Sequence, residues 1–271
     1  MNPRKSRHFL DSEDLGNKTD RLDAMGLARY GTTKHPQRTD FLPLEYEQLR
    51  ELVRARDNMV TMRDMLGNRS EGRNEITKVN AIETSVHSKI TGAVEQLNTE
   101  ITALLVKYPK LQRIYEIILS FPGMGFVTAV TFMAELGPMN PKHTRSEFSR
   151  FTGLSPVKRE SGSSVRGSHI AKTGSSLLRK VLYMSSIHAV KKDPMLLAFH
   201  DRLENRGKSP LTIRCACMRK ILIMLRAMVI NDQCYDENRY RKMIIEKPRK
   251  NEKSGDEKTR SIGKKEEGIC N

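Results

Sequence analysis

A serine among cations, two aspartates three residues apart and two glycine-broken helix starts give this sequence the residue types for chemistry. Ser161 precedes Gly162 and is flanked by Lys158, Arg159 and Arg166. An exposed hydroxyl there can meet a phosphodiester, although the plainer reading of a serine in such a loop is hydrogen bonding and solubility. Asp20 and Asp23 share one helix face and offer oxygen ligands to a divalent cation. Thr19 or Asp20 as N-cap, with Asp23 in the first turn, is the ordinary capping alternative. In Phe121-Pro122-Gly123-Met124-Gly125, Pro122 disfavours helix at Phe121. Gly123 and Gly125 let the chain turn and leave the next helix's first amides ready for a phosphate. The same residues also suit a tight turn between core helices. Lys172 and Gly174 offer a second phosphate position before a later helix. A nucleotide-binding P-loop is excluded there, because no glycine-rich stretch after a strand precedes Lys172.

Charge favours a polyanionic partner. The 271 residues carry 48 Lys and Arg against 32 Asp and Glu, a net +16 with pI near 9.8. From Ser155 to Lys220 there are fourteen basic residues and four acidic ones, so most of the excess lies in a quarter of the chain. A membrane is the weaker partner: no apolar run reaches spanning length and no signal-peptide core follows the N-terminal charges. Cys215, Cys217, Cys234 and Cys270 form neither a disulfide framework nor a zinc pattern, which fits a cytoplasmic, reducing setting.

These residues need elements to hold them. Residues 1 to 18 read as a loop or frayed start, followed by a short helix from Thr19 to Tyr30 that Gly31 stops. After a linker bracketed by Pro36 and Pro43, a helical pattern runs from Leu44 to Asn68. A second places Val79, Ile82, Val86, Ile90, Ala93, Leu97, Ile101 and Leu104 at bundle-seam spacing. With the bend at Gly67 and Gly72, the pair reads as an antiparallel arm, a spacer or dimerisation element. Pro109 opens a helix into the glycine turn, and a second helix ends near Leu136. Residues 156 to 169 suggest a loop or small hairpin. Helices then fit Leu177 to His188, Asp193 to Asn205 with Asp193 as N-cap, and Pro210 to Ile230. His188 and His200 have no partner at metal-site spacing. The last stretch, rich in Lys, Glu, Gly and Ser, reads as disordered.

Several of these stretches together resemble a known family. Phe121 to Val130 with Ala134-Glu135-Leu136-Gly137, Phe151 to Pro156, Glu160-Ser161-Gly162, Arg166-Gly167, Ile170 to Gly174, Leu178-Arg179 and Leu182-Tyr183-Met184 resemble the C-terminal domain of bacterial IS110/IS1111-type insertion-sequence transposases. These are DEDD recombinases related to the Piv invertase. Lys18 to Ala24 resembles the end of that family's N-terminal catalytic domain. The resemblance implies a mainly α chain in four parts. Residues 1–43 would be the remnant of an RNase H-like (RuvC-like) domain, 44–108 the arm, 109–232 a helical transposase domain with a helix-hairpin-helix turn, and 233–271 the tail.

By the same resemblance, Asp20 and Asp23 are the last two acids of an Asp-Glu-Asp-Asp site for Mg²⁺. Ser161 is the nucleophile that joins DNA through a phosphoserine. Gly123, Gly125, Lys158, Arg159, Arg166, Lys172, Gly174 and Arg179 are placed to bind DNA. A structured guide RNA and a homo-oligomer are the implied partners. The family's first Asp and its Glu are expected upstream of Lys18, so the chain reads as an N-terminally truncated copy with two of four carboxylates. A non-catalytic DNA-binding or helical interaction protein is the alternative from another class.

Overall fold

The computed structural model describes residues 3–12, 19–36, 41–70, 77–161, 165–171 and 173–238, with backbone alone at 3–4, 70, 77, 157–161 and 165–169. Lys18, Gly72, Lys172 and the tail beyond 238 lie outside the described residues. The chain divides into two compact units, Met1–Leu44 and Glu45–Asn271. It is mainly helical, with one two-stranded ribbon among the described residues.

The first unit holds α1 (Pro3–Ser12) and α2 (Asp20–Lys34). The loop expected at the start is therefore a helix over much of its length. Its reason lies outside any local window: Phe9 packs edge-to-face on Tyr30 of α2, with ring centroids 5.3 Å apart, and Ser6 is buried. Gly31 does not stop α2 either. The helix runs on to Lys34, and His35 takes the left-handed cap (φ 41°), giving its N–H to Gly31 O.

In the second unit, α3 (Leu44–Ser70) and α4 (Thr77–Lys107) run antiparallel. Arg56 Nε donates to Asn98 Oδ1 (2.6 Å) near the root, and Arg69 meets Glu83 (3.9 Å) toward the far end. Leu49, Val53, Val94, Ile101 and Leu105 are buried at the root, whereas Met62, Met65, Ile82 and Val86 are exposed farther out.

The root leads into α5 (Pro109–Leu119), with Pro109 in its first turn. After the glycine turn comes α6 (Phe126–Leu136), which is buried continuously from Thr128 to Glu135. Then follow α7 (Arg145–Phe151), β1 (Pro156–Ser161), β2 (Val165–Ile170), α8 (Ser176–Lys192), α9 (Pro194–Glu204) and α10 (Pro210–Ile230). The α6 and α10 helices pack on α5 and α8. Phe121, Phe132, Leu178, Leu182, Ile221 and Leu225 are sealed between them, each burial stabilising by about 1.5–3 kcal/mol. The hydroxyls of Thr128 and Ser185 satisfy each other across the α6–α8 contact (2.6 Å).

Side chains fix the remaining joints. Arg226 of α10 donates to the carbonyls of Asn140, Pro141 and His143, and its guanidinium lies over the Phe148 ring (5.3 Å), so it organises the α6–α7 loop. Asp193 caps α9 by accepting from the Met195 and Leu196 amides (2.7 and 2.9 Å). Beyond α10 the chain turns back as a strap. Asp232 accepts from Arg113 (2.8 Å), and the Tyr235 amide donates to Ser120 Oγ (2.8 Å). The Tyr235 ring meets Phe121 edge-on, while its hydroxyl donates to Asp193.

Candidate nucleic-acid interface

The β1–β2 ribbon is antiparallel in the register Pro156↔Ile170, Lys158↔Ser168, Arg159↔Gly167, Glu160↔Arg166 and Ser161↔Val165. Ser161 therefore occupies the last described pair, about 17 Å of strand from the ribbon's base. Four of the sequence-predicted residues, Lys158, Arg159, Ser161 and Arg166, fall on this one ribbon.

A two-stranded ribbon is marginal alone, so its base must be held. Gly153 (φ +73°) lies so close to the 173 peptide that a Cβ would sit 1.9 Å from Thr173 O. Gly174 (φ +86°) in turn abuts the chain at 151, where a Cβ would fall 2.2 Å from Phe151 O. Only glycine permits both the left-handed backbone and this crossing. Arg179 Nη1 donates to the carbonyls of Thr152, Thr173 and Gly174 (3.4, 3.3 and 3.2 Å), and Ala171 N–H to Ser155 O (3.0 Å). Gly174 and Arg179, expected at DNA, thus hold the base of the ribbon. The start of α8 is capped by its own chain, Ser175 Oγ accepting from Leu178 N–H (3.1 Å).

The glycine turn separates its two glycines. Gly123 (φ +84°) packs on α8, where a Cβ would lie 2.5 Å from the Ala189 nitrogen; its requirement is the close approach of two helices. Gly125 is exposed, is the N-cap of α6 in an extended conformation, and has nothing within 4 Å of a Cβ position. No side chain caps this helix start. Ala129 is the first α6 amide bonded back to the turn, at Gly125 O (3.0 Å). The amides of Phe126 and Val127 are the orphan donors that suit an anion.

Asp20 and Asp23 stand in the first turn of α2, where Thr19 is the cap (Leu22 N to Thr19 Oγ1, 3.4 Å). Neither carboxylate has a partner among the described residues. Two unpaired carboxylates on one face are hard oxygen donors of the kind Mg²⁺ takes alongside water and phosphate oxygens. They belong to the first unit and the ribbon to the second.

Two features escaped the sequence reading. His200 does have neighbours, Asp201 (3.2 Å) and Glu204 (3.9 Å) on one turn of α9; the signal was the four-residue spacing to Glu204. Glu135 is the other, with a carboxylate only 5% exposed. It receives Arg54 Nε and Nη2 (2.9 and 3.2 Å) and faces Ser175. Burial pushes its pKa up, but the bonds from Arg54 and Ser175 and the charge of Arg50 outweigh that and hold it below the usual value.

A basic helical module with a locked, serine-bearing ribbon belongs with proteins that handle nucleic-acid strands, and comparison with known proteins narrows the class. A family model described as "Transposase IS116/IS110/IS902 family" matches residues 115–201, and a DEDD-type IS110 model described as "Transposase" matches residues 1–72. Two models of IS110-type insertion-sequence transposases thus match separate segments of this chain. It is 27% identical over 155 residues to the insertion element IS110 uncharacterized 43.6 kDa protein of Streptomyces coelicolor, covering 56% of this chain and 37% of that protein. It is also 25% identical over 250 residues to the pilin gene-inverting protein of Moraxella bovis, covering 88% of this chain and 74% of that one. The insertion element IS900 uncharacterized 42 kDa protein of Mycobacterium paratuberculosis is 27% identical over 158 residues, covering 57% and 40%. No helix among the described residues is long and apolar enough to cross a membrane.

Proposed function

We propose that this chain is a DNA recombinase of an insertion sequence, whose Ser161 hydroxyl cuts and rejoins strands. The observation that carries the reading is Ser161's place in the last described pair of a basic ribbon with a locked base, inside the segment that matches the transposase model. Ser161 Oγ attacks the phosphorus of a DNA phosphodiester. An Oγ–P bond forms and one bridging P–O bond breaks; the serine proton passes to a base, and the departing strand keeps its oxygen as a hydroxyl. Reversal with a different strand end restores the serine and exchanges the strands.

Asp20 and Asp23, within the segment matching the DEDD model, would hold Mg²⁺ as part of an RNase H-like site. An ion held there would supply positive charge to phosphate oxygens. Gly125 and the open start of α6 grip the backbone as a helix-hairpin-helix turn would, through neutral amides, while Lys158, Arg159 and Arg166 supply the screening charge. Lys172, two residues before Gly174 in sequence, is proposed to add to that charge. With no base-reading module evident among the described residues, sequence choice is delegated to a structured guide RNA, and the arm brings copies of the chain together.

The test is to trap the protein on DNA. With Mg²⁺, the protein and element-end DNA should give a denaturant-stable adduct whose phosphate maps to Ser161, and Ser161→Ala should abolish it. Salt-sensitive binding without an adduct, the same in both proteins, would instead support a non-catalytic DNA-binding protein.

A further inference from the structure

The carboxylate of Glu135 sits where local physics disfavours it. It is nearly sealed from water, which penalises its charge, and it occupies the last turn of α6, where the helix dipole repels an anion. A neutral side chain would pack there at lower cost. What the carboxylate does instead is join three elements. Arg54 reaches it from the root of α3, beside Arg50, whose Nε holds the Ala134 carbonyl (2.9 Å). From the other side Ser175 faces it and helps to hold its pKa down, while the Ser175 oxygen accepts from Leu178 and caps α8. Ser175 follows Gly174 directly, and Gly174 is half of the crossing on which the ribbon stands. A second tie, Lys180 to Asp57 (3.1 Å), runs parallel between α8 and α3.

We infer that Glu135 is a positioning residue: it fixes the root of the arm to the cap of α8, so that the set of the serine-bearing ribbon follows the set of the arm. The functional consequence rests on Ser161 as the nucleophile, whereas the mechanical coupling does not. A force or partner acting on the far end of the arm then reaches the ribbon in large part through this carboxylate.

Backbone-amide exchange in the full-length protein, free of DNA, tests the coupling. Arg54 is more than half exposed, so Arg54→Gln removes the arm's hold on the carboxylate without opening a core cavity. Exchange in segments 156–161 and 165–170 should quicken about threefold or more while the α10 core is unchanged. Arg54→Lys, which keeps the charge, should restore most of the protection. Adduct formation on element-end DNA should slow in step, with DNA affinity unaltered. Glu135→Gln should match Arg54→Gln if it folds. Ribbon exchange at the parent rate in Arg54→Gln, with the fold intact, overturns the inference. Faster exchange in a protein whose parent never forms an adduct upholds the coupling and sinks the Ser161 reading instead.

Discussion

Gly123 and Gly125 look equivalent in the sequence and should behave oppositely when each is changed to alanine. At Gly123 a methyl must enter a left-handed backbone (φ +84°) and fall 2.5 Å from the Ala189 nitrogen, 2.8 Å from its Cα and 3.0 Å from the His188 carbonyl carbon. The left-handed penalty is about 1–2 kcal/mol and overpacking against backbone about 1–3. Reduced freedom of the unfolded chain returns roughly 0.4–1 kcal/mol. Gly123→Ala should therefore cost about 2–4 kcal/mol, lowering Tm by roughly 5–15 °C for a unit of this size.

At Gly125 the backbone is extended and the space open. A weaker cap, about 0.5–1 kcal/mol, nearly cancels the unfolded-state gain, so Gly125→Ala should melt with the parent. Its DNA affinity should nonetheless drop about tenfold, from a crowded amide–phosphate bond worth roughly 1.5 kcal/mol. Because neutral amides release no counterions, the slope of affinity against salt should stay the same. Urea unfolding and DNA titration at several salt concentrations measure both arms. Equal stability losses in the two variants would refute the packing argument, and parental DNA affinity in Gly125→Ala would refute the phosphate grip.

Two further outcomes are expected. Tyr235→Phe keeps the ring on Phe121 but removes the hydroxyl from Asp193, and should cost about 1–2 kcal/mol in urea unfolding; an Asp193→Ala, Tyr235→Phe double-mutant cycle should show coupling, and simple additivity would deny the bond. Glu135 has a native pKa below its unfolded value, despite burial, because Arg54, Ser175 and Arg50 face it. Its contribution is therefore full above an unfolded pKa of about 4.3 and is lost as pH falls through the lower native value. Stability of Glu135→Gln should accordingly fall less between about pH 5 and 3 than that of the parent, and parallel acid-unfolding curves would contradict this.

Much of the helical frame was legible because its signals are local. The helical period from Val79 to Leu104, Pro109 in a first turn, Asp193 as cap and the polar, β-branched run at 156 to 170 each carry their instruction within a few residues. What was not legible depends on partners distant in sequence. Phe9 is helical because Tyr30 receives it, and Gly31 is overrun because the helix end falls to His35. Among the site residues, the composition around Arg179 and Gly174 pointed outward to phosphate. Their actual neighbours are the carbonyls at 151 to 152 and 173 to 174, which only the crossing of two chain segments brings together. Glu135 fell within a stretch that carried the resemblance, but a lone acid near a helix end does not reveal that other elements converge on it.

The crossing at Gly153 and Gly174 also acts as a buckle, with a consequence for how such proteins diversify. Everything beyond it, from residue 156 to residue 170, is a loop of chain whose two ends are already fastened to the helical body. Its tip can lengthen, shorten or trade cations without the body noticing, as long as the two glycines stay. Transplanting this loop between relatives is thus a problem of fifteen or so residues and two fixed joints, not of redesigning a core.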